Sequence, residues 1–386
     1  MFVVLLVTNH IYDFANPETR RVAPDSYSYI SVARAVPHLP AQPQMYNHAQ
    51  RAAVPYAIGL AGRVLPVRLD LLFQIAALLT LAAAVGIFVL TLNRAGVAAP
   101  IVCAVSALIV FNPYLMRLPV AFSALIDQPL FFLGSTVVVL AVVEDRSSLL
   151  IAGSIVSAIG RQTAMTFLPA LLLLAVWRRR WSPVVSAILI AAIYFGTGMI
   201  AATFADPSIN VSTITGIFAD FGHVSIAVFD SYFRDCAFPL VAALLLLLFL
   251  RDVRFAAGKV LHDPRHAVLA LLALGILGSP VLMGPTISGG NGARLAALAL
   301  PPLLILVALL LEEAGHPFVR SPLFAAAVTL CAVIGSFHHL YSSVGFSRRQ
   351  FVIANLLSWL GIAAFAVGAR LSARVRSAAG SEAIGK

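Results

Sequence analysis

The chain has 386 residues, of which 60% are hydrophobic and only 11% are charged. Soluble domains are about 45–50% apolar and about 25% charged, and a single soluble core stops growing at about 250–300 residues. These proportions exclude a soluble globular enzyme. Because apolar runs recur from end to end, they predict a polytopic helical membrane protein, which is an all-α transmembrane helix bundle.

The formal net charge is +10, from 26 Lys and Arg against 16 Asp and Glu. The cations lie mainly between apolar runs, so membrane topology explains them better than nucleic-acid binding does, and no nucleic acid partner is expected. The apolar runs predict about twelve spans, several of them shorter than the ~20 residues of a perpendicular helix. The predicted spans are 1–12, 69–92, 97–112, 125–143, 148–160, 163–177, 183–204, 237–250, 267–283, 293–311, 322–340 and 350–369.

The distribution of basic residues predicts the orientation of the spans. An even number of spans puts both termini on one side, where the loops and the tail carry fourteen Lys and Arg. The opposite side carries twelve, of which six lie in the long segment 13–68, and long segments cross the membrane largely regardless of charge. We therefore expect both termini to be cytoplasmic. Arg348 and Arg349 lie on the outward side and run against this pattern.

These features predict a single transmembrane domain over residues 1–386, with outward loops 13–68 and 205–236 and a cytoplasmic tail at 370–386. The bias toward Arg and Ala is typical of a GC-rich bacterial genome, which suggests the bacterial inner membrane. In the first loop, Asp25–Val36 predicts a helix, and Ala52–Pro66 predicts a second helix at the outer membrane surface.

Charged residues near the outward ends of the spans are the candidates for function. A charge at the bilayer centre costs roughly 2.5–3.5 kcal/mol on insertion scales, so such residues require a reason. Their concentration on one side predicts an outward-facing site at the membrane boundary. They are Asp25, Arg51, Arg117, Asp127, Arg161, Arg234 and Arg294.

Two acids have both a functional and a structural interpretation. Asp25 precedes Tyr29 by one helical turn, and a shielded carboxylate there could take a proton from a hydroxyl. Asp25 could equally cap a helix that starts after Pro24, and both interpretations stay open. Asp127 precedes Pro129 as at a helix N-terminus, and a capping role is favoured for it.

Two arginines follow glycines at predicted outward turns. Arg161 follows Gly160, and Arg294 follows the glycine-rich segment 289–292. Guanidinium groups bind phosphate in a bidentate way, and glycine backbone can add N–H donors. For either arginine alone, an interaction with lipid headgroups at a helix end explains its position as well.

Metal and cofactor signals are weak. His262 and His266 are separated by Pro264 in a predicted cytoplasmic loop, and the adjacent His338 and His339 would point to different sides of a helix. The sequence predicts no cofactor, while dependence on a divalent metal ion stays open.

The order of several local motifs resembles the GT-C superfamily of polytopic glycosyltransferases. An acid followed by tyrosines stands in the first outward loop, and a short helical hairpin comes later. The matching elements are Asp25 with its tyrosines, Arg51 to Pro55, Phe111-Asn112-Pro113, Asp127-Gln128-Pro129, Gly160-Arg161-Gln162, Leu168-Pro169, Arg178-Arg179-Arg180, and Arg294 before Pro301-Pro302.

This resemblance implies a GT-C-like bundle with interfacial helices in the first loop. It also implies the activity of a glycosyltransferase. An inverting glycosyltransferase would move a sugar from a polyprenyl-phosphate donor to a hydroxyl of a lipid or glycan acceptor, at the outer face of the lipid bilayer. Asp25 would be the catalytic base. The predicted substrate-binding residues are Tyr29, Arg51, Asp127, Arg161 and Arg294.

Two alternatives from other classes stay open. A transporter or flippase for a lipid-linked or anionic solute predicts broken helices and polar residues near the middle of the membrane. A non-catalytic membrane scaffold predicts no convergence of the acids and arginines once the chain has folded.

Overall fold

The computed structural model describes residues 2–12, 24–206, 253–282, 292–358, 360–364 and 367–368. Within these ranges the regular elements are helical, and β-pairing is limited to isolated bridges between Asn9 and Ser342 and between Gln44 and Ala205. The protein is therefore all-α across the part described. The helices are α1 Phe2–Val7, α2 Pro24–Ala35, α3 Tyr46–Ala49, α4 Ala53–Val64, α5 Leu69–Arg94, α6 Ala99–Val110, α7 Leu118–Ala121, α8 Asp127–Glu144, α9 Ser147–Gly160, α10 Leu168–Arg178, α11 Ser182–Ala201, α12 Val253–Leu261, α13 Pro264–Leu282, α14 Gly292–Ala297, α15 Leu300–Ala314, α16 Pro322–Gly335 and α17, residues 348–358.

Three of these helices, α5, α8 and α11, are long and apolar enough to cross a membrane. A fourth span results if α6 and the segment Pro113–Ala121, which meet at an angle of 57°, are counted as one broken helix. Shorter apolar helices include α9, α13 and α16. Helices of this kind support a membrane protein.

Some of the other predicted spans are shorter in the structure, are divided, or lie outside the described residues. The first predicted span, 1–12, contains a helix of only six residues. The predicted span 293–311 is divided between α14 and α15. The predicted span 237–250, most of the loop 205–236 and the tail 370–386 lie outside the described residues.

Close backbone contact fixes the pair formed by α8 and α9. A Cβ atom added to Gly153 would lie 2.8 Å from the backbone nitrogen of Val138, and one added to Gly160 would lie 2.6 Å from that of Phe131. Real Cβ atoms do not approach so closely, so both positions require glycine. The contact places the end of α9, and therefore Arg161, beside the start of α8.

The bend after α6 follows from Asn112 and Pro113. The Asn112 side chain accepts hydrogen bonds from the backbone nitrogens of Tyr114 and Leu115, at 3.0 and 2.9 Å, and Pro113 occupies the next position. One π-helical turn, Pro113–Arg117, follows before α7. Side-chain capping and proline together start a new helix in a new direction.

Candidate functional site

Asp127 lies at the centre of a buried group of charges. Its Oδ2 accepts hydrogen bonds from Arg161 Nη1 at 2.6 Å and from Arg51 Nη1 at 3.2 Å, and its side chain is 2% exposed. Arg294 Nη2 lies 3.7 Å from Oδ1, within ion-pair distance. The capping role favoured for Asp127 is wrong: the N-cap of α8 is Ile126, Asp127 Oδ2 binds two arginines, and Asp127 Oδ1 accepts no hydrogen bond from the described residues.

Asp25, in the first turn of α2, lies beside this group. Arg294 Nη1 donates to its Oδ2 at 3.0 Å, and His48 Nε2 lies 3.2 Å from its Oδ1. Its side chain is 23% exposed, far more than that of Asp127. Arg294 therefore bridges the two acids. The five residues Asp25, Asp127, Arg51, Arg161 and Arg294 are called the arginine–aspartate cluster below.

Tyr29 completes the inner side of the cluster. It lies one turn after Asp25, is fully buried, and its hydroxyl oxygen accepts a hydrogen bond from Arg51 Nη1 at 3.3 Å. Burial and the nearby Asp127 carboxylate raise the pKa of Tyr29 to about 12. The phenol is therefore neutral at physiological pH and leaves the charge count of the cluster unchanged.

The six residues predicted from the sequence thus lie in one network of hydrogen bonds and ion pairs, although they come from five separate segments. The structure also adds partners that the sequence analysis missed. Gln128 accepts from Arg294 Nε at 2.8 Å, and Gln162 accepts from Arg51 Nε at 2.7 Å. Both glutamines follow directly after predicted site residues, and this adjacency was the available signal. His48 had no comparable signal.

The cluster carries more positive than negative charge. Three guanidinium groups face two carboxylates, which leaves one formal positive charge without an acid among the described residues. Within the described part of the chain, Arg161 Nε and Arg294 Nη2 are buried and make no hydrogen bond, and Asp127 Oδ1 accepts none. Buried donors without acceptors are costly. The arrangement therefore favours an added anion with acceptor oxygens.

The electrostatics of Asp25 follow from its two partners. Burial alone would raise the pKa of this carboxyl, but the hydrogen bond with His48 and the charge of Arg294 outweigh burial and lower the pKa below its ordinary value. Asp25 is therefore ionised across the physiological range, and the release of Arg294 would make it a stronger base.

Little open space adjoins the cluster on the side of α9 and α11. A cavity of about 10 Å³ is lined by Arg51, Arg161, Gln162 and Tyr194, among others. Such a volume is at the lower limit for a single water molecule. A ligand that reaches the arginines from this side must displace side chains that are now paired with each other.

Another buried arginine, Arg117, lies apart from the cluster at the end of the π-helical turn. It is fully buried, and its Nη1 donates to the Thr8 carbonyl at 3.1 Å while its Nη2 donates to Ser336 Oγ at 2.9 Å. Its guanidinium carbon lies 5.2 Å from the centre of the Phe337 ring. No carboxylate of the described residues forms an ion pair with Arg117, so its hydrogen-bond partners are neutral. Arg234, also named as a candidate, lies outside the described residues.

Across the described ranges, no group of three or more His, Cys, Asp and Glu is placed to hold a metal ion. Comparisons of the chain with protein-family models, curated proteins and solved structures found no match.

Proposed function

We propose that this protein is an inverting glycosyltransferase of the GT-C type, which moves a sugar from a polyprenyl-phosphate donor to an acceptor hydroxyl. The observation that carries the proposal is the partly exposed carboxylate of Asp25 in direct contact with an arginine group that has one unbalanced positive charge. Such a transfer needs one base and positive charge beside the departing phosphate. The cluster holds both within a few ångströms.

The donor phosphate would bind Arg161 and Arg294. A phosphodiester brings one negative charge and acceptor oxygens, which match the unbalanced charge and the free donors Arg161 Nε and Arg294 Nη2. Each charge-assisted hydrogen bond contributes about 1.5–3 kcal/mol. Arg51 would keep Asp127 and Tyr29 in place during this exchange.

Donor binding would also activate Asp25. When Arg294 turns toward the phosphate, Asp25 loses its ion pair and keeps His48, so its affinity for a proton rises. The acceptor hydroxyl then gives its proton to Asp25, and its oxygen forms a bond to the anomeric carbon on the side opposite the phosphate. The bond between that carbon and the phosphate oxygen breaks, and the lipid phosphate leaves with the electron pair, stabilised by the arginines.

The proposed setting is the outer face of the bacterial inner membrane, with about twelve spans and both termini in the cytoplasm. The excess of basic residues in the loops on one side supports this orientation. The polyprenyl chain stays in the bilayer, and the acceptor is a hydroxyl of a lipid or glycan.

Asp25→Asn tests the proposal. We expect transfer from a polyprenyl-phosphate sugar to fall by about 10²–10⁴-fold, because asparagine cannot accept the proton. The variant should remain folded, since asparagine caps a helix about as well as aspartate and can still accept a hydrogen bond from Arg294. The measurements are sugar transfer and the thermal unfolding of the purified variant.

Asp70→Asn is the matched control, because Asp70 also lies in the first turn of a helix and pairs with an arginine, Arg68, at an exposed site. It should transfer sugar at the wild-type rate. Normal transfer by Asp25→Asn would reject the role of the base.

The alternative of a lipid transporter is favoured by one observation, the 57° break between α6 and the segment Pro113–Ala121. Broken helices are typical of transporter binding sites. Movement of a fluorescent lipid phosphate from one leaflet of a proteoliposome membrane to the other, with no transfer of sugar to any acceptor, would support the transporter instead.

A further inference from the structure

An apolar groove runs between α16 and α17. Its volume is about 430 Å³, nearly three times that of the ~150 Å³ cavity that takes up benzene in another protein. The walls include Leu330 and Ile334 from α16 and Ile353 and Leu357 from α17. All four side chains are exposed, Leu330 and Leu357 by 61% each. The groove is therefore an open channel in the surface of the protein.

The two helices are fixed against each other beside the groove. Phe351 is fully buried, and its ring centre lies 4.6 Å from that of His338. A Cβ atom added to Gly335 would lie 2.9 Å from Asn355 Oδ1, so α16 and α17 touch at this point. The groove is held open by this packing and does not depend on a single side-chain rotamer.

One end of the groove is polar, and two arginines precede it along the chain. Gln350 lines it, and the exposed Arg348 and Arg349 open the same helix. Ser347 and Gln350 hold this end in place, since the side chain of each accepts a hydrogen bond from the backbone nitrogen of the other. Neither arginine forms an ion pair within the described part of the chain. Two cations without an ion pair in the described ranges therefore lie next to Gln350, at the start of α17.

We propose that this groove binds an anionic phospholipid, with an acyl chain along the channel and the phosphate at the end where Arg348 and Arg349 begin α17. From Gln350 to Ser358 the channel follows α17 for about 12 Å, at 1.5 Å per residue. The apolar walls match the acyl chain of such a lipid, and the arginines beside them match its phosphate, as at the boundary between the hydrocarbon core and the headgroups of a bilayer. The site also accounts for two arginines that run against the charge pattern of the outward loops.

Thermal unfolding in detergent, with lipid added back, tests this site. We expect phosphatidylglycerol to raise the unfolding temperature of the wild type more than phosphatidylcholine with the same acyl chains does. The double variant Arg348→Gln and Arg349→Gln should need roughly 30-fold more phosphatidylglycerol for the same rise. It loses two charge interactions with the headgroup, and each of them contributes roughly 5-fold to binding.

The matched control is the double variant Arg34→Gln and Arg63→Gln, which removes two exposed arginines elsewhere. It should respond to phosphatidylglycerol as the wild type does. Ala354→Phe keeps both groove arginines but fills the channel that Ala354 lines, and it should lose the response as well.

Equal responses of the wild type and the Arg348 and Arg349 double variant would overturn the proposal, as would equal effects of the two lipids on the wild type. An unchanged response in Ala354→Phe would overturn the placement of the acyl chain. None of these measurements depends on sugar transfer, so the result stands apart from the proposed catalytic function.

Discussion

Arg117 and the three arginines of the arginine–aspartate cluster are each at most 11% exposed, but the groups around them differ. Arg117 donates to a carbonyl, to hydroxyls and to an amide, and an aromatic ring lies beside it. The cluster arginines face two carboxylates. Among the described residues both regions keep buried N–H groups that make no hydrogen bond: Arg117 Nε in the first region, and Arg161 Nε and Arg294 Nη2 in the second. The two regions therefore differ in the acceptors: of the described residues only neutral groups bind Arg117, whereas carboxylates bind the cluster arginines.

This difference shows which buried arginine points to a ligand. Arg117 connects the segment after α1 to the end of α16, and several of its N–H groups are satisfied by the chain itself. That pattern is typical of a structural role. In the cluster, Arg161 and Arg294 are paired with carboxylates, so another anion can enter by exchange of partners. Burial of a charge alone does not separate the two cases.

The largest expected effect concerns Arg294, the residue that bridges the two acids. Arg294→Gln should weaken binding of a short-chain polyprenyl phosphate by roughly 10- to 150-fold, since it removes a charge-assisted contact. Arg294→Lys should recover part of the affinity, because it restores the charge without the planar fork. Calorimetric titration measures both, with the exposed Arg63→Gln as a control that should bind normally.

A smaller effect is expected at Arg117, and it should be on stability alone. Arg117→Met removes the hydrogen bonds from the guanidinium group to the Thr8 carbonyl and to Ser336 Oγ, and a hydrogen bond to a charged group contributes about 1.5–3 kcal/mol. We expect a lower unfolding temperature and unchanged binding of the polyprenyl phosphate. A loss of binding at constant stability would mean that Arg117 belongs to the binding site, which would contradict its purely structural role.

The smallest expected effect is a difference between two pH profiles. In the free protein Arg294 and His48 lower the pKa of Asp25 below its ordinary value of 3.8, so kcat/KM should stay level from pH 7 to pH 5. With donor bound, Arg294 leaves Asp25 and the pKa of the base rises. Since the base works only when deprotonated, kcat should fall at a higher pH than kcat/KM. If kcat and kcat/KM fall at the same pH, Arg294 does not move from Asp25 to the donor phosphate.

The positions of the candidate site residues could be predicted because charge is rare and costly in this chain. Asp25, Arg161 and Arg294 stood out against long apolar runs, and the proposed topology put them on one side of the membrane. Helical spacing also related Tyr29 to Asp25. Their roles in sugar transfer remain predictions, and so does the number of spans.

What the sequence could not supply was the approach of distant segments to each other. Asp127 was interpreted as a cap because local sequence shows only its own helix, while its partners Arg51 and Arg161 come from elsewhere. The approach of Arg161 depends on glycine contacts between α8 and α9 that a linear pattern does not reveal. No feature of the sequence distinguishes His48, because its contact with Asp25 forms only in the folded protein.

The backbone contact between α8 and α9 has a consequence for the protein in different membranes. Helices that meet through Gly153 and Gly160 without intervening side chains cannot slide past each other, so a thinner or thicker bilayer tilts the pair as a unit. The 2.6 Å separation between Arg161 and Asp127 spans the end of this pair. It should therefore be insensitive to hydrophobic mismatch, and changes in lipid chain length should leave that part of the cluster intact.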